Sequence, residues 1–242
     1  GGVAHDFNNL LCVISGHSQL VRSELTSHPE LSDQLETILT ASNQAAELCR
    51  QLLTYSGRQA GEMRTLDLND VIRRTERLTR IFATENASMR FTLSEAPIWI
   101  RANEAQLQQI VLNLVKNAAD ALSEIGSIVL ETQVSERRRG DFEDAVVGSN
   151  LGNGTYATLT IIDDGCGMAE DNLRAIFDPF FSTKASGHGL GLAAVLGIVE
   201  SHSGSLEVKS SAQAGSTFKI SLPLAAEPDH KAQQSPPPSG EG

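Results

Sequence analysis

Hydrophobic residues recur with a helical period over the first fifty residues of the chain. Between Val3 and Leu25 they fall at spacings of three and four, which predicts one apolar face of a helix. Pro29 suits the first turn of a second helix, whose apolar positions run from Leu31 to Leu53. Two helices joined by a short loop form an antiparallel hairpin. Because one hairpin cannot cover both of its apolar stripes, we expect two chains to pair as a four-helix bundle.

Further along, the pattern predicts a mixed domain of helices and strands behind a glycine-containing linker at 57–64. The charged, glycine- and asparagine-rich segment Arg137–Gly154 is interpreted as an exposed loop, with an interaction site as the alternative. We predict an α+β chain with a hairpin domain at 1–56, a mixed domain at 65–225 and a disordered end at 226–242. The predicted helices are Leu68–Phe82, capped by Asn69, Asn103 to about Ser123, capped by Asn103 with Gln106 in the capping-box position, Glu170–Phe177 and Leu190–Ser203; the predicted strands are Phe91–Leu93, Ile98–Ile100, Ser127–Val134, Tyr156–Ile162, Ser205–Lys209 and Thr217–Leu222.

Charge and cysteine content narrow the classes of partner. The net charge of −11 argues against a nucleic-acid partner held by bulk positive charge. Three cysteines without paired spacing argue against a disulfide framework or a zinc site, so we expect reduced thiols and a cytoplasmic location, with Cys12 and Cys49 near the interior of the hairpin. No apolar run reaches the roughly 18 residues of a membrane span. Since the chain opens without an initiator methionine, we expect a fragment, and membrane attachment of its parent stays open.

The stretch from Ile161 to Met168, IIDDGCGM, joins the end of a predicted strand to two acids and two glycines. On a strand alternate side chains share a face, so Asp163 continues the apolar side of Ile161. A carboxylate buried there costs several kcal/mol, on the order of the penalty for a buried ion, unless it is paired. The alternative is that the strand ends at Ile162 and that both aspartates are solvated turn residues.

The long helix that Asn103 begins carries a line of polar side chains beside its apolar stripe. Asn113, Asn117 and Asp120 lie at i, i+4 and i+7, and Lys116 is next to them. Amide and carboxylate oxygens are hard ligands that suit magnesium, which keeps waters and phosphate oxygens in its shell. The alternative is an ordinary solvent-exposed helix face.

A second glycine-rich stretch, Gly187–Leu192, opens the helix that runs to Ser203. Alternate glycines let the backbone approach a ligand closely, and a helix N-terminus offers free N–H groups to an anion. This spacing indicates a phosphate-binding loop that is neither the dinucleotide fingerprint nor a Walker loop; a flexible turn is the alternative. The preceding segment Phe177–Lys184 suits a mobile flap from which Lys184 could reach phosphates.

These stretches occur in a fixed order that resembles the catalytic domain of bacterial sensor histidine kinases. NLVKNAADAL resembles the asparagine box of that family, DDGCGM its first glycine box, IFDPFFSTK its phenylalanine box, GHGLGL its second glycine box and AGSTF a final glycine-threonine element. The opening AHDFNNLL resembles the phosphoacceptor box in the variant common in hybrid kinases. The resemblance covers about residues 1–224 and implies a dimerising helical hairpin followed by an α/β sandwich ATPase domain of the gyrase, Hsp90, histidine kinase and MutL type.

For the hairpin, the resemblance implies that His5 is the phosphoacceptor and that Asp6 acts as general base or orients the ring. Asn9, one helical turn after His5, is implied to position water when the phosphohistidine is hydrolysed. An unperturbed imidazole has a pKa near ~6.5, so a neutral nucleophilic nitrogen is available at neutral pH.

For the nucleotide, the resemblance implies ATP with Mg²⁺ bound by Asn117, with Asn113 in the metal and phosphate region. Asp163 is implied to accept a hydrogen bond from the adenine amino group, and Gly165 and Gly167 to leave room for the base. Guanine presents a carbonyl at that position, and the mispaired site would cost roughly 1–3 kcal/mol. The other residues implied to contact ATP are Lys116, Asp120, Met168, Ile176, Phe181, Lys184, Gly187, His188, Gly189, Leu190, Gly191, Leu192 and Thr217.

The resemblance implies transfer of the γ-phosphate to His5 in a homodimer, and relay to an aspartate of a response regulator or receiver domain, with dephosphorylation of that partner as an additional activity. Two other functions stay open: an ATP-gated clamp or scaffold without phosphohistidine, and a module that acts mainly as a phosphatase. The first hairpin helix looks N-terminally truncated, which would weaken dimerisation and autophosphorylation. Arg137–Gly154 looks longer than the family needs, and the tail resembles a linker to a receiver domain.

Overall fold

The computed structural model describes residues 13–21, 31, 34–39, 42, 62–81, 87–122, 125–183 and 189–228. Strands and helices of the mixed domain follow each other along the chain. They are β1 (Arg64–Asp67), α1 (Leu68–Thr79), β2 (Ala87–Thr92), β3 (Trp99–Ala102), α2 (Glu104–Ala121), β4 (Gly126–Arg137), a 3₁₀ turn (Arg139–Phe142), β5 (Gly154–Asp163), α3 (Glu170–Ala175), α4 (Gly191–Ser201), β6 (Ser205–Ser210) and β7 (Ser216–Pro223).

Five of these strands form one sheet in the order β2-β4-β5-β7-β6. β2 pairs in parallel with β4, whereas the other three pairs are antiparallel. β1 and β3 form a separate antiparallel pair, and a bridge between Ile100 and Leu224 ties this pair to the chain just after β7. The predicted strands Ser205–Lys209 and Thr217–Leu222 pair antiparallel as the β-hairpin β6–β7.

The helices α1, α2 and α4 supply apolar stripes to one hydrophobic core that they share with the inward side chains of the sheet. The strands are rich in β-branched and aromatic residues, which fit a pleated, half-buried surface. The predicted α+β class and sandwich architecture are therefore confirmed. On α2 the predicted core residues Leu107, Ile110, Val111, Leu114 and Ala118 are buried, and Ala121 is half-buried.

Element ends depart from the sequence predictions where sheet pairing or helix capping decides them. β4 continues to Arg137 instead of stopping at Val134, because its residues pair with β5 up to Gly154. α1 ends at Thr79 and not at Phe82. β2 begins at Ala87, ahead of the predicted start at Phe91, since its first residues pair with the start of β4.

The predicted cap of α1 was wrong. Asp67 is the N-cap, and its side chain accepts from the backbone N–H of Asn69 at 3.0 Å. Asn69 is instead buried, where its amide donates to the carbonyls of Ser94 and Ala96 and accepts from the Thr132 hydroxyl at 2.6 Å. Asn69 therefore joins α1 to the sheet. The predicted cap of α2 is confirmed, because the Asn103 side chain accepts from the N–H of Gln106.

The segment Arg137–Gly154 is mostly exposed, as its composition indicated, but two buried residues anchor it to the domain. Phe142 is fully buried and packs edge-on against Tyr156, with ring centroids 5.3 Å apart. Val147 forms a bridge with Leu206 on the edge strand β6. Arg137 is 8% exposed, lies over the Phe142 ring and pairs with Glu207 at 2.8 Å. The segment thus covers part of the sheet, and one of its charged residues, Arg137, packs there with its charge paired.

Residues 13–21 and 34–39 are helical, as the predicted hairpin requires. The Ser15 hydroxyl donates to the Ser42 hydroxyl at 2.8 Å, which joins the two helices side by side. Ile14, Val21 and Ile38 are exposed, so part of the apolar stripe faces outward. Cys12, Cys49, the part of the predicted 57–64 linker up to Gly61, and the end of the chain from 229 lie outside the described residues. In the part of the chain that the structure describes, no helix combines the length and apolar character that a membrane span needs.

Candidate functional site

β5 carries a carboxyl group into the core at its last residue, Asp163. The residue is 5% exposed, and its Oδ1 accepts hydrogen bonds from the backbone N–H groups of Gly165 at 3.0 Å and Ser216 at 3.2 Å. The strand therefore continues past Ile162, and the expectation of a buried acid is confirmed. The two backbone donors replace part of the hydration that the carboxylate loses on burial.

The two adjacent aspartates have opposite electrostatic environments. Burial raises the pKa of Asp163 above 3.8, and the N–H groups of Gly165 and Ser216 offset only part of that rise. Asp164 is exposed, and hydrogen bonds from the Ser127 N–H and hydroxyl, both at 2.7 Å, lower its pKa. The alternative of a solvated turn residue thus holds for Asp164 and not for Asp163.

The loop after β5 lies tightly between α2 and the β6–β7 turn. A Cβ on Gly165 would lie 2.6 Å from the Ala121 carbonyl oxygen, and one on Gly167, which has φ = +62°, would lie 1.9 Å from the Ser211 carbonyl oxygen. The Cys166 N–H donates to Ala121, and its carbonyl accepts from Gln213. The close approach of protein backbone therefore requires glycine at both positions.

Three further predicted site residues lie in this loop or in the elements after it. The Met168 N–H donates to the Ser210 hydroxyl at 2.9 Å, which in turn donates to the Gly215 carbonyl. Thr217 is half-buried on β7 and pairs in register with Ile162. Ile176, just after α3, is buried at 8% exposure. The loop, the β6–β7 turn and the end of β5 thus form one hydrogen-bonded unit around Asp163.

The polar line on α2 lies beside the start of α4. Asn113 and Asn117 are half-buried, whereas Lys116 and Asp120 are exposed. The Asn113 side-chain amide donates to the carbonyl of Gly191, the first residue of α4, at 3.1 Å. The alternative of a merely solvated helix face therefore fails for Asn113, whose side chain connects two elements.

The N-terminus of α4 has no side-chain cap. Its N-cap residue is Leu190, whose carbonyl accepts from the N–H of Ala194 and whose side chain offers no acceptor. The first N–H groups of this 11-residue helix point out of its end, where an anion is favoured by the partial positive charge of the helix. Just before it, Gly189 has φ = +65° and its carbonyl accepts from the N–H of Phe180.

Two family models match the chain. The model described as histidine kinase-, DNA gyrase B-, and HSP90-like ATPase matches residues 102–226, and the model described as His Kinase A (phospho-acceptor) domain matches residues 1–61. The chain belongs to the histidine kinase-like ATPase family. Along the chain the phospho-acceptor match precedes the ATPase match, which is the order of a bacterial sensor histidine kinase core, and ATP binding follows from the ATPase family.

Relatives of this histidine kinase core are named sensor kinases. Sensor kinase CckA of Brucella abortus (strain 2308) is 34% identical over 243 residues, which cover 98% of this chain and 25% of that protein. Sensor histidine kinase ZraS of Salmonella typhimurium (strain LT2) is 32% identical over 226 residues, which cover 93% of this chain and 45% of that protein. The chain therefore spans between a quarter and a half of the length of these relatives.

Solved structures give the same fold. The mycobacterial sensor histidine kinase MprB matches with a TM-score of 0.53 and 26% identity, over 67% of this chain and 97% of that one. Full-length ShkA in complex with AMPPNP matches with a TM-score of 0.72 and 23% identity, over 93% of this chain and 45% of that one. The match to ShkA covers more of this chain than the match to MprB, so it extends the shared fold beyond the ATPase domain.

In this histidine kinase core, the described contacts bring several of the predicted nucleotide residues together. Gly165 contacts Asp163, Thr217 pairs beside the end of β5, and Asn113 contacts Gly191 at the start of α4. Gly189 lies against Phe181, which is half-buried like Leu192, whereas Leu190 is buried. The predicted residues outside the described part of the chain are His5, Asp6, Asn9, Lys184, Gly187 and His188.

Sequence reasoning missed one residue of this region and one contact at the opposite end of α4. Ser216 donates its N–H to Asp163, and its place in the AGSTF stretch was the available signal. His202 is buried at the end of α4 and accepts from the N–H of Asn103 at the N-cap of α2. No local pattern indicates that contact, because the two residues are distant in sequence.

The donor set suits a metal that takes few protein ligands. In the part of the chain that the structure describes, no three His, Cys, Asp or Glu side chains come together as a metal site. Asn117 offers a hard amide oxygen on the same face of α2 as Asn113. Magnesium is commonly held by one or two protein oxygens together with waters and phosphate oxygens, so these residues fit it.

Proposed function

We propose that this chain autophosphorylates, transferring the γ-phosphate of Mg²⁺-bound ATP to His5 for relay to an aspartate of a response regulator or receiver domain. The observation that carries the proposal is Asp163, a buried carboxylate whose donors, within the part of the chain that the structure describes, are backbone N–H groups and a serine hydroxyl. The cost of burying this acid is explained if a ligand with a hydrogen-bond donor completes its shell. The adenine amino group is such a donor, and guanine offers a carbonyl at the same position.

The phosphates would lie between α2 and α4. The N–H groups in the first turn of α4 have no acceptor within the helix and suit phosphate oxygens, and Asn117 offers a ligand to Mg²⁺. When bound, Mg²⁺ would neutralise charge on the β- and γ-phosphates. Lys184, in the segment before α4, would add a cation to the same phosphates.

At the hairpin, a neutral ring nitrogen of His5 would attack the γ-phosphorus. The bond from the γ-phosphorus to the β–γ bridging oxygen breaks, ADP leaves, and Asp6 accepts the ring proton. Asn9 would orient water for hydrolysis of the phosphohistidine. The match of residues 1–61 to the phosphoacceptor model favours this route over an ATP-gated clamp.

We propose the same domain division as from the sequence: a hairpin at 1–56, a linker at 57–64, a catalytic domain at 65–225 and a tail at 226–242. The first strand of the described sheet pair begins at Arg64, and the last bridge falls at Leu224, which supports the limits of the catalytic domain. The exposed apolar residues of the hairpin support a homodimer through a four-helix bundle.

Incubation with γ-labelled ATP and Mg²⁺ tests the proposal. We expect a labelled protein whose phosphate is lost in acid and stable in alkali, and His5→Ala should abolish it. His17→Ala is the matched control, because His17 is an exposed histidine on the same hairpin. A label that survives His5→Ala, or well-folded protein that binds ATP and takes up no label, would contradict the proposal and favour the clamp.

A further inference from the structure

Two hydrogen bonds join α2 and α4 near the ends of their shared contact. At one end the N–H of Asn103 donates to Nε2 of His202 at 3.1 Å, and at the other the Asn113 amide donates to the Gly191 carbonyl at 3.1 Å. At 1.5 Å rise per residue the stretches 103–113 and 191–202 are about 15 and 17 Å long. Since the start of α2 meets the end of α4, and Asn113 further along α2 meets the start of α4, the helices run antiparallel. The similar lengths show that the two bonds bracket matching stretches of the two helices.

The bond at Asn113 holds the part of α4 that has no cap of its own. Leu190, the N-cap residue, makes no side-chain cap hydrogen bond, so the first turn of α4 lacks the usual support. A Cβ added to Gly191 would lie 3.7 Å from the Asn113 Cγ, so the Asn113 side chain is within ordinary contact distance of the helix start. It therefore fixes the helix start by its hydrogen bond to a carbonyl, which leaves the N–H groups of the first turn without an acceptor in the helix.

We infer that Asn113 is a positioning residue, whose side-chain NH₂ group fixes the start of α4 where the phosphates would bind. The inference rests on the proposed ATP site, and it gives Asn113 a role that needs no metal. Its NH₂ group donates to Gly191, so the protein itself orients the side chain before any ligand binds. Loss of Asn113 should therefore disorder the phosphate-binding helix start whether or not metal is present.

The first test compares ATP affinity with excess Mg²⁺ and with EDTA in Asn113→Ala and Asn117→Ala. The two variants are matched, since both replace half-buried asparagines one turn apart on α2. Asn113→Ala should weaken binding by the same factor, about 2- to 10-fold for one net hydrogen bond, in both conditions. Asn117→Ala should weaken binding only with Mg²⁺. If Asn113→Ala loses affinity only when Mg²⁺ is present, Asn113 is a metal ligand and the inference is wrong.

The second test needs no nucleotide. Amide hydrogen exchange of the free protein should accelerate in the first turns of α4, from Ala194 to Leu196, in Asn113→Ala and not in Asn117→Ala. Unchanged exchange there would overturn the inference. Failure of the wild-type chain to bind any ATP would instead refute the proposed function, and the exchange result would still decide the role of Asn113.

Discussion

The N–H of Asn103, at the start of α2, donates to Nε2 of His202, at the end of α4, across a distance of 3.1 Å. The other ring nitrogen, Nδ1, lies 2.8 Å from the Ile198 carbonyl and donates to it. With one nitrogen accepting and one donating, the imidazole is neutral. Burial lowers the pKa of His202 below 6.5, and the Ile198 carbonyl offsets only part of this.

This arrangement makes the stability of the domain dependent on pH. The unfolded chain binds the proton of His202 more readily than the folded chain, so the free energy of unfolding is highest above about pH 6.5 and falls as the pH drops below that value. The slope due to this one residue is at most about 1.4 kcal/mol per pH unit. Denaturant unfolding between pH 5 and 8, in wild type and His202→Gln, measures it.

We expect His202→Gln to flatten that part of the pH profile, since a glutamine oxygen can accept from Asn103 and does not titrate. The other five of the six histidines stay in place and serve as the internal control. An identical pH slope in the two proteins would show that another group is responsible.

Asp163→Asn should separate nucleotide binding from folding. The asparagine oxygen can still accept from Gly165 and Ser216, and the cost of a buried charge disappears, so we expect thermal stability at pH 7 to be unchanged or higher. ATP affinity should fall about 10-fold or more, because the amide then faces the adenine amino group donor to donor. Calorimetry with ATP and a melting curve check both parts; retained ATP affinity would contradict the role of Asp163.

Gly167→Ala should destabilise the loop after β5. The new Cβ would meet the Ser211 carbonyl at 1.9 Å in a residue with φ = +62°, so the free energy of unfolding should fall by more than about 1 kcal/mol. Gly152→Ala is the control, because nothing lies within 4 Å of its Cβ position. Its effect should stay within about 0.5 kcal/mol. Equal stability of the two variants would argue against the close backbone packing at Gly167.

Bound ATP should slow alkylation of Cys166. The thiol is free and exposed, and its backbone lies in the loop that surrounds Asp163. A nucleotide seated against Asp163 would shield this loop from reagent. Mass spectrometry of the peptide that contains Cys166, with and without ATP, follows the reaction, and equal labelling in both samples would refute the placement of the base.

The type of each element and the core residues could be predicted from local patterns. Apolar residues that recur about every 3.6 positions in a helix, or every second position in a strand, indicate which side chains face the core. This holds for the apolar stripe of α2, for the inward face of β5 and for the Asn103 cap. Local patterns failed at Asn69, where a residue that suits a helix cap is used in the core instead. They failed also at Phe142, because its charged neighbours concealed a buried ring.

The sequence by itself determined the α+β class, the family and the group of residues around the candidate ATP site, since ordered short boxes carry that information. Only the tertiary structure decided how those residues act on one another. The hydrogen bond from Asn113 to Gly191, the N–H of Ser216 on Asp163 and the contact of Asn103 with His202 all join residues far apart in the chain. Such contacts depend on where packing brings two backbones together, and no spacing within a single helix or strand encodes that distance.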